Sequence, residues 1–83
     1  MLIDVRTPEE YVEAHLAGAV NIELSADMAS KLPAEAKDQP LELYCRSGGR
    51  AGQAEGILRA AGYQAKNIGG LEDLKAQGYE VAS

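Results

Sequence analysis

The chain has no tryptophan, no phenylalanine, one cysteine and one histidine among its 83 residues. A single cysteine excludes an intrachain disulfide. With one histidine beside it, a zinc site would have to recruit several carboxylates, so no metal is expected. Basic residues are also scarce: eight Lys and Arg against thirteen Asp and Glu, a formal charge of −5. That balance argues against nucleic acid, which wants a basic stripe, and against an anionic membrane surface. No apolar run approaches the roughly 18 residues needed to cross a bilayer, so no membrane insertion is expected. No signal-peptide pattern opens the chain, which is compatible with a mature or trimmed product. Repeats and low-complexity tracts are absent as well.

What is present reads as one small domain, 1–83. A chain of this length buries only roughly 60–65% of its unfolded surface. Leu, Ile, Val and Ala must fill the core, helped by Tyr11, Tyr44, Tyr63 and Tyr79. Strand-like stretches fall at Leu2–Val5, Ala19–Ile22, Leu41–Tyr44 and Tyr63–Ile68. Between them lie helical patterns. Thr7 caps the first, with Pro8 at its first position and Glu10 completing a capping box, and the pattern runs through Tyr11, Val12, His15 and Leu16 to Gly18. Ser25 caps a short helix through Leu32, and residues 33–40 read as loop. A third helix spans Ala51 to Ala61 and a fourth Leu71 to Gln77. Gly52 and Gly56 weaken the third by about 1 kcal/mol each relative to Ala, which suggests close packing on the sheet. Alternating strands and helices predict an α/β domain: a central parallel sheet of about four strands with helices on both faces. Ligands in such sheets bind beyond the carboxyl ends of the strands.

Cys45 stands at such an end. It opens the run Cys45-Arg46-Ser47-Gly48-Gly49-Arg50, between a strand and a helix. A helix start offers free N–H groups and the positive end of its dipole. Ser47, Gly48 and Gly49 suit a nest of N–H groups converging on one atom. Arg46 and Arg50 add positive charge where a helix dipole disfavours it, and such a broken local rule points to function. The loop reads as a cradle for an anionic sulfur, with Cys45 as nucleophile. Because the chain is acidic overall, an anionic substrate would need this local charge.

With its flanks, the loop resembles the rhodanese (thiosulfate sulfurtransferase) family. The matching stretches are Ile3-Asp4-Val5-Arg6-Thr7-Pro8-Glu9-Glu10-Tyr11, His15-Leu16-Ala17-Gly18-Ala19-Val20-Asn21-Ile22, Tyr44 to Arg50, and Ala61-Gly62-Tyr63 running into Gly69-Gly70. They occur in family order and cover nearly the whole chain. Its size and its start at the Ile-Asp-Val-Arg strand look like the small single-domain members of phage-shock protein E type. Three positions depart from the pattern: Ala51 where many members have Ser, Leu74 where many have Trp, and Glu80 where many have Pro. None removes the nucleophile.

The resemblance implies a rhodanese-like fold and transfer of a sulfane sulfur through a Cys45 persulfide, with no metal or organic cofactor. The donor would be thiosulfate or another persulfide, the acceptor a thiol or cyanide, or a protein acceptor. A monomer is expected. The compartment would be the periplasm for a mature or trimmed chain of that type, and the cytoplasm otherwise. Arg46, in mid-loop, is expected to meet the substrate, and Arg50 also to tie the loop together. Ser47 could donate its hydroxyl to the persulfide. Asp4 and Arg6 border the site but read as structural, since a buried carboxylate needs partners. His15, a lone histidine beside a Gly turn, reads as a hydrogen-bonded structural residue. Gly69 and Gly70 are expected to let the last loop pass close to the site. Two other readings stand beside this one: a persulfide carrier serving a partner protein, and a cysteine-loop phosphatase or arsenate reductase. Loops of the latter kind place five residues between Cys and Arg; here there are four.

Overall fold

A computed structural model describes residues 1–83. Its elements run β1 (Leu2–Asp4), α1 (Pro8–Glu13), β2 (His15–Leu16), β3 (Val20–Asn21), two 3-10 turns (Met28–Lys31 and Ala34–Asp38), β4 (Pro40–Cys45), α2 (Gly49–Ala60), β5 (Gln64–Gly70), α3 (Leu71–Ala76) and β6 (Val81–Ala82). The main sheet is parallel, in the order β3-β1-β4-β5.

Alternation along the strands divides the core between the two faces of the sheet. Ile3, Val5, Leu41, Leu43 and Cys45 point to one face, where Ala51, Ala54 and Leu58 of α2 cover them together with Met28 and Ala36 of the 3-10 turns. Tyr44 points to the other face and meets Leu16, Ala19, Leu71 and Leu74. Glycine inside α2 has only part of the expected effect. A Cβ at Gly52 would touch the Asn67 amide at 3.6 Å, whereas Gly56 faces open space.

Four expectations are corrected. The first helix stops at Glu13, not near Gly18, because Ala14 is extended at φ −168° and ψ 140°. That turn brings the Ala14 carbonyl to Arg6 and the Leu16 N–H to the Tyr44 hydroxyl, both buried or nearly so. His15 and Leu16 then form a short strand, antiparallel to β6, where a helical pattern was expected. Ser25 does not cap a helix: its hydroxyl donates to Asp27, and the chain coils into the 3-10 turn that buries Met28. Residues 33–40, read as loop, hold the second 3-10 turn and the first residue of β4.

The β4–β5 pairing carries a bulge that sets the site. Leu43 pairs with Asn67, but Tyr44 pairs with Gly69 and Cys45 with Gly70. One extra residue on β5 re-aims the residues after it. Gly70 is thereby pressed against the cysteine loop. A Cβ there would collide with the Arg46 carbonyl oxygen and lie 3.0 Å from the Ser47 Cα. Only glycine allows this approach.

Candidate active site

Cys45 ends β4 and is 1% exposed. The chain leaves the strand through Arg46 and Ser47, both exposed, and turns at Gly48. Gly48 has φ 97°, a conformation that favours glycine. The turn aims the Gly48 N–H at Cys45 Sγ, 2.9 Å away. The Ala51 N–H, in the first turn of α2, reaches the same sulfur at 3.4 Å. Helix α2 starts at Gly49, two residues earlier than the pattern suggested, so Gly49 and Arg50 lie within its first turn. Two backbone donors and a helix start therefore converge on one sulfur and favour negative charge there.

Two residues missed as site residues hold this loop. Asn67, at the bulge, donates its amide to the Gly48 carbonyl at 3.0 Å and accepts from the Gly69 N–H at 2.9 Å. Its own N–H donates to Glu55 of α2 at 2.9 Å. The second is Glu10. It completes the capping box with Thr7, and its carboxylate also takes two bonds from Arg50, at 2.7 and 3.0 Å. The charge-assisted bonds from Arg50, aided by those from Thr7, hold the Glu10 carboxyl far below the usual carboxylate range despite partial burial. The same bond raises the Arg50 guanidinium. Arg50 thus ties the loop to α1, and its cation at a helix start is offset by Glu10. Glu10 was legible as a capping residue only. Nothing local in the sequence marks Asn67.

Glu10→Gln should weaken this tie. Arg50 is about one-third exposed, so solvent screening limits the loss to about 1–2 kcal/mol. A depressed carboxylate stabilises the fold above its unfolded pKa near 4.3 and loses that contribution as pH falls through the lower folded value. The variant should therefore be less stable at pH 7 and show a flatter decline below about pH 4, read by thermal unfolding across pH.

Arg46 is differently placed. Its side chain is 71% exposed, and its closest approach to Glu10 is through Nε, at 3.5 Å. It borders a cleft of about 150 Å³ lined by Arg6, Arg46, Leu71 and Glu72. A larger groove, of about 390 Å³, runs along Val20 to Glu23 with no arginine in its lining, and Cys45 lines neither space. Size alone does not mark the site.

Beneath the loop lies a buried polar network. Asp4 is fully buried and accepts from the Arg6 backbone and guanidinium at 2.7–3.1 Å and from the Tyr44 hydroxyl at 2.8 Å. The bonds to Asp4 raise the Arg6 guanidinium, and burial pushes the Tyr44 phenol up. This is the structural role expected of Asp4 and Arg6. His15 is likewise engaged: its ring stacks on Tyr11 at 3.8 Å, and Nδ1 donates to the Tyr11 carbonyl at 2.7 Å.

The family model of the rhodanese-like domain matches residues 1–77. The chain belongs to the rhodanese family. Thiosulfate sulfurtransferase PspE of Escherichia coli (strain K12) is 41% identical over 76 residues, covering 87% of this chain and 71% of that protein. YqhL of Bacillus subtilis (strain 168) is 41% identical over 61 residues, and the chain spans 48% of its length. The solved structure of a rhodanese with anions from E. coli superposes with a TM-score of 0.80 at 35% identity, covering 99% of this chain and 95% of that one. The parallel sheet, with helices on both faces, is the rhodanese fold. Of the positions that depart from the common rhodanese pattern, Leu74 is buried in the smaller core cluster and Ala51 lies fully buried against Cys45.

Proposed function

We propose that this rhodanese domain, acting as one unit over 1–83, is a sulfurtransferase that carries a sulfane sulfur on Cys45. The observation that carries the reading is the pair of N–H groups, from Gly48 and Ala51, on a cysteine sulfur at the carboxyl end of a buried strand. In the first step Sγ, as thiolate, attacks the outer sulfur of thiosulfate. An S–S bond forms, the bond to the sulfonate breaks, and sulfite leaves with the electron pair. A thiophilic acceptor such as cyanide or a thiol then takes the outer sulfur and returns Cys45 as thiolate. Each half is a simple displacement. In this reading Gly48 and Ala51 hold Sγ, Ser47 and Gly49 form the rest of the loop around the added sulfur, and Arg46 draws in the donor anion. The short loop, with four residues between Cys45 and Arg50, suits one sulfur better than a phosphoryl group, whose several oxygens each need a donor.

Arg46→Ala tests the binding role. A charge-assisted hydrogen bond contributes roughly 1.5–3 kcal/mol, and solvent around the exposed Arg46 side chain screens this to about 1–2 kcal/mol. The Michaelis constant for thiosulfate should rise roughly five- to thirtyfold with kcat less affected. Unchanged thiosulfate kinetics would remove Arg46 from the site.

A further inference from the structure

The cleft bordered by Arg46, the residue after Cys45, carries charges of both signs, and their pairing within the fold is unequal. Strand register places Cys45 opposite Gly70, so Arg46 and Leu71–Glu72 are the residues that leave the two strands side by side. Of the cleft's charged residues, Arg6 is committed to buried Asp4. Arg46 approaches, through Nε at 3.5 Å, a carboxylate already held by Arg50. Its two terminal nitrogens make no hydrogen bond within the chain. Glu72 is exposed and forms no ion pair. Leu71, nearly buried, supplies an apolar wall. Arg46 and Glu72, one cation and one carboxylate without a strong partner, thus border a space of about 150 Å³.

We propose that this cleft selects, as sulfur acceptor, a small thiol that carries both a carboxylate and an ammonium group: a free amino-acid thiol rather than a purely anionic one. The inference rests on the persulfide reading above. The acceptor's carboxylate matches the Arg46 fork, which binds such groups through two parallel bonds. Its ammonium matches Glu72. An anionic thiol would gain from Arg46 but be repelled by Glu72, and a cationic thiol the reverse. The cleft has room for one amino acid, whereas a peptide thiol would extend into solvent. The step balances without an oxidant. The acceptor sulfur attacks the outer sulfur of the Cys45 persulfide, the Sγ–S bond breaks, and Cys45 leaves as thiolate. The acceptor becomes a persulfide, and its thiol proton ends on the outer sulfur.

The test is single-turnover discharge of the preformed persulfide by L-cysteine, L-cysteine methyl ester and N-acetyl-L-cysteine, for the native protein and Glu72→Gln. Persulfide loading from thiosulfate is first confirmed by intact mass in both. Rates are taken as native over variant, so each thiol's own reactivity cancels. Exposed charge pairs are worth up to about 1 kcal/mol, so the substitution should slow L-cysteine and its methyl ester roughly three- to fivefold. It should leave N-acetyl-L-cysteine unchanged or faster. Equal ratios for all three thiols, with both proteins loaded, would overturn the acceptor assignment and leave the persulfide reading standing. Failure of the native protein to load would overturn both.

Discussion

Cys45→Ser should fold as the native protein does and transfer no sulfur from thiosulfate to cyanide above the uncatalysed background. The serine hydroxyl is nearly isosteric and can accept the Gly48 and Ala51 N–H groups that now meet Sγ. The side chain is 1% exposed within the main core cluster, so the lost sulfur costs some packing but leaves no buried donor unpaired. A serine in this loop has no adjacent base to activate it, since His15 is stacked on Tyr11 and bonded to its carbonyl. Nor can it hold sulfane sulfur in a persulfide. Thiocyanate formation, measured beside a thermal melt, separates lost chemistry from lost fold. Residual transfer near the native rate would place the chemistry elsewhere.

The largest effect on stability should come from Asp4→Ala. Removing the carboxylate leaves the Arg6 guanidinium, 4% exposed, without its ionic partner, and leaves the Tyr44 hydroxyl without its acceptor. Breaking one side of a buried pair typically costs about 3–5 kcal/mol. A domain of this length has only about 4–12 kcal/mol in total, at roughly 0.05–0.15 per residue. The variant should melt at least about 12 °C lower, since each kcal/mol shifts a domain of this size by roughly 4–8 °C. Asp4→Asn, which keeps an acceptor but loses the charge, should fall between. Circular dichroism melts decide it, and an unchanged midpoint for Asp4→Ala would contradict the account of the network. Tyr44 precedes Cys45, so loosening this network should also blur the loop.

How much of this was legible depends on range along the chain. The capping box of Thr7 and Glu10, the strand ending on Cys45 and the glycines that turn the loop are local, and the sequence carries them openly. The alternation that sends Leu43 and Cys45 to one face and Tyr44 to the other comes from period two. What escaped was decided by distant partners. Glu10 bonds Arg50, forty positions away, and no periodicity signals that. Helix α1 ends early because the Ala14 carbonyl and the Leu16 N–H find buried partners in Arg6 and Tyr44. Strand β6 has two residues and exists through its pairing with β2. Asn67 matters because a bulge at that point turns its side chain onto Gly48. Family motifs located the loop; only the fold located what holds it.

The most direct test of the account is the intact mass of the purified protein before and after thiosulfate, with and without a dithiol. Thiosulfate should add the mass of one sulfur atom, the added mass should map to the peptide containing Cys45, and the dithiol should remove it. A protein that gains no mass under thiosulfate while its Cys45 remains a free thiol, or one that gains sulfur at another residue, would contradict the central claim.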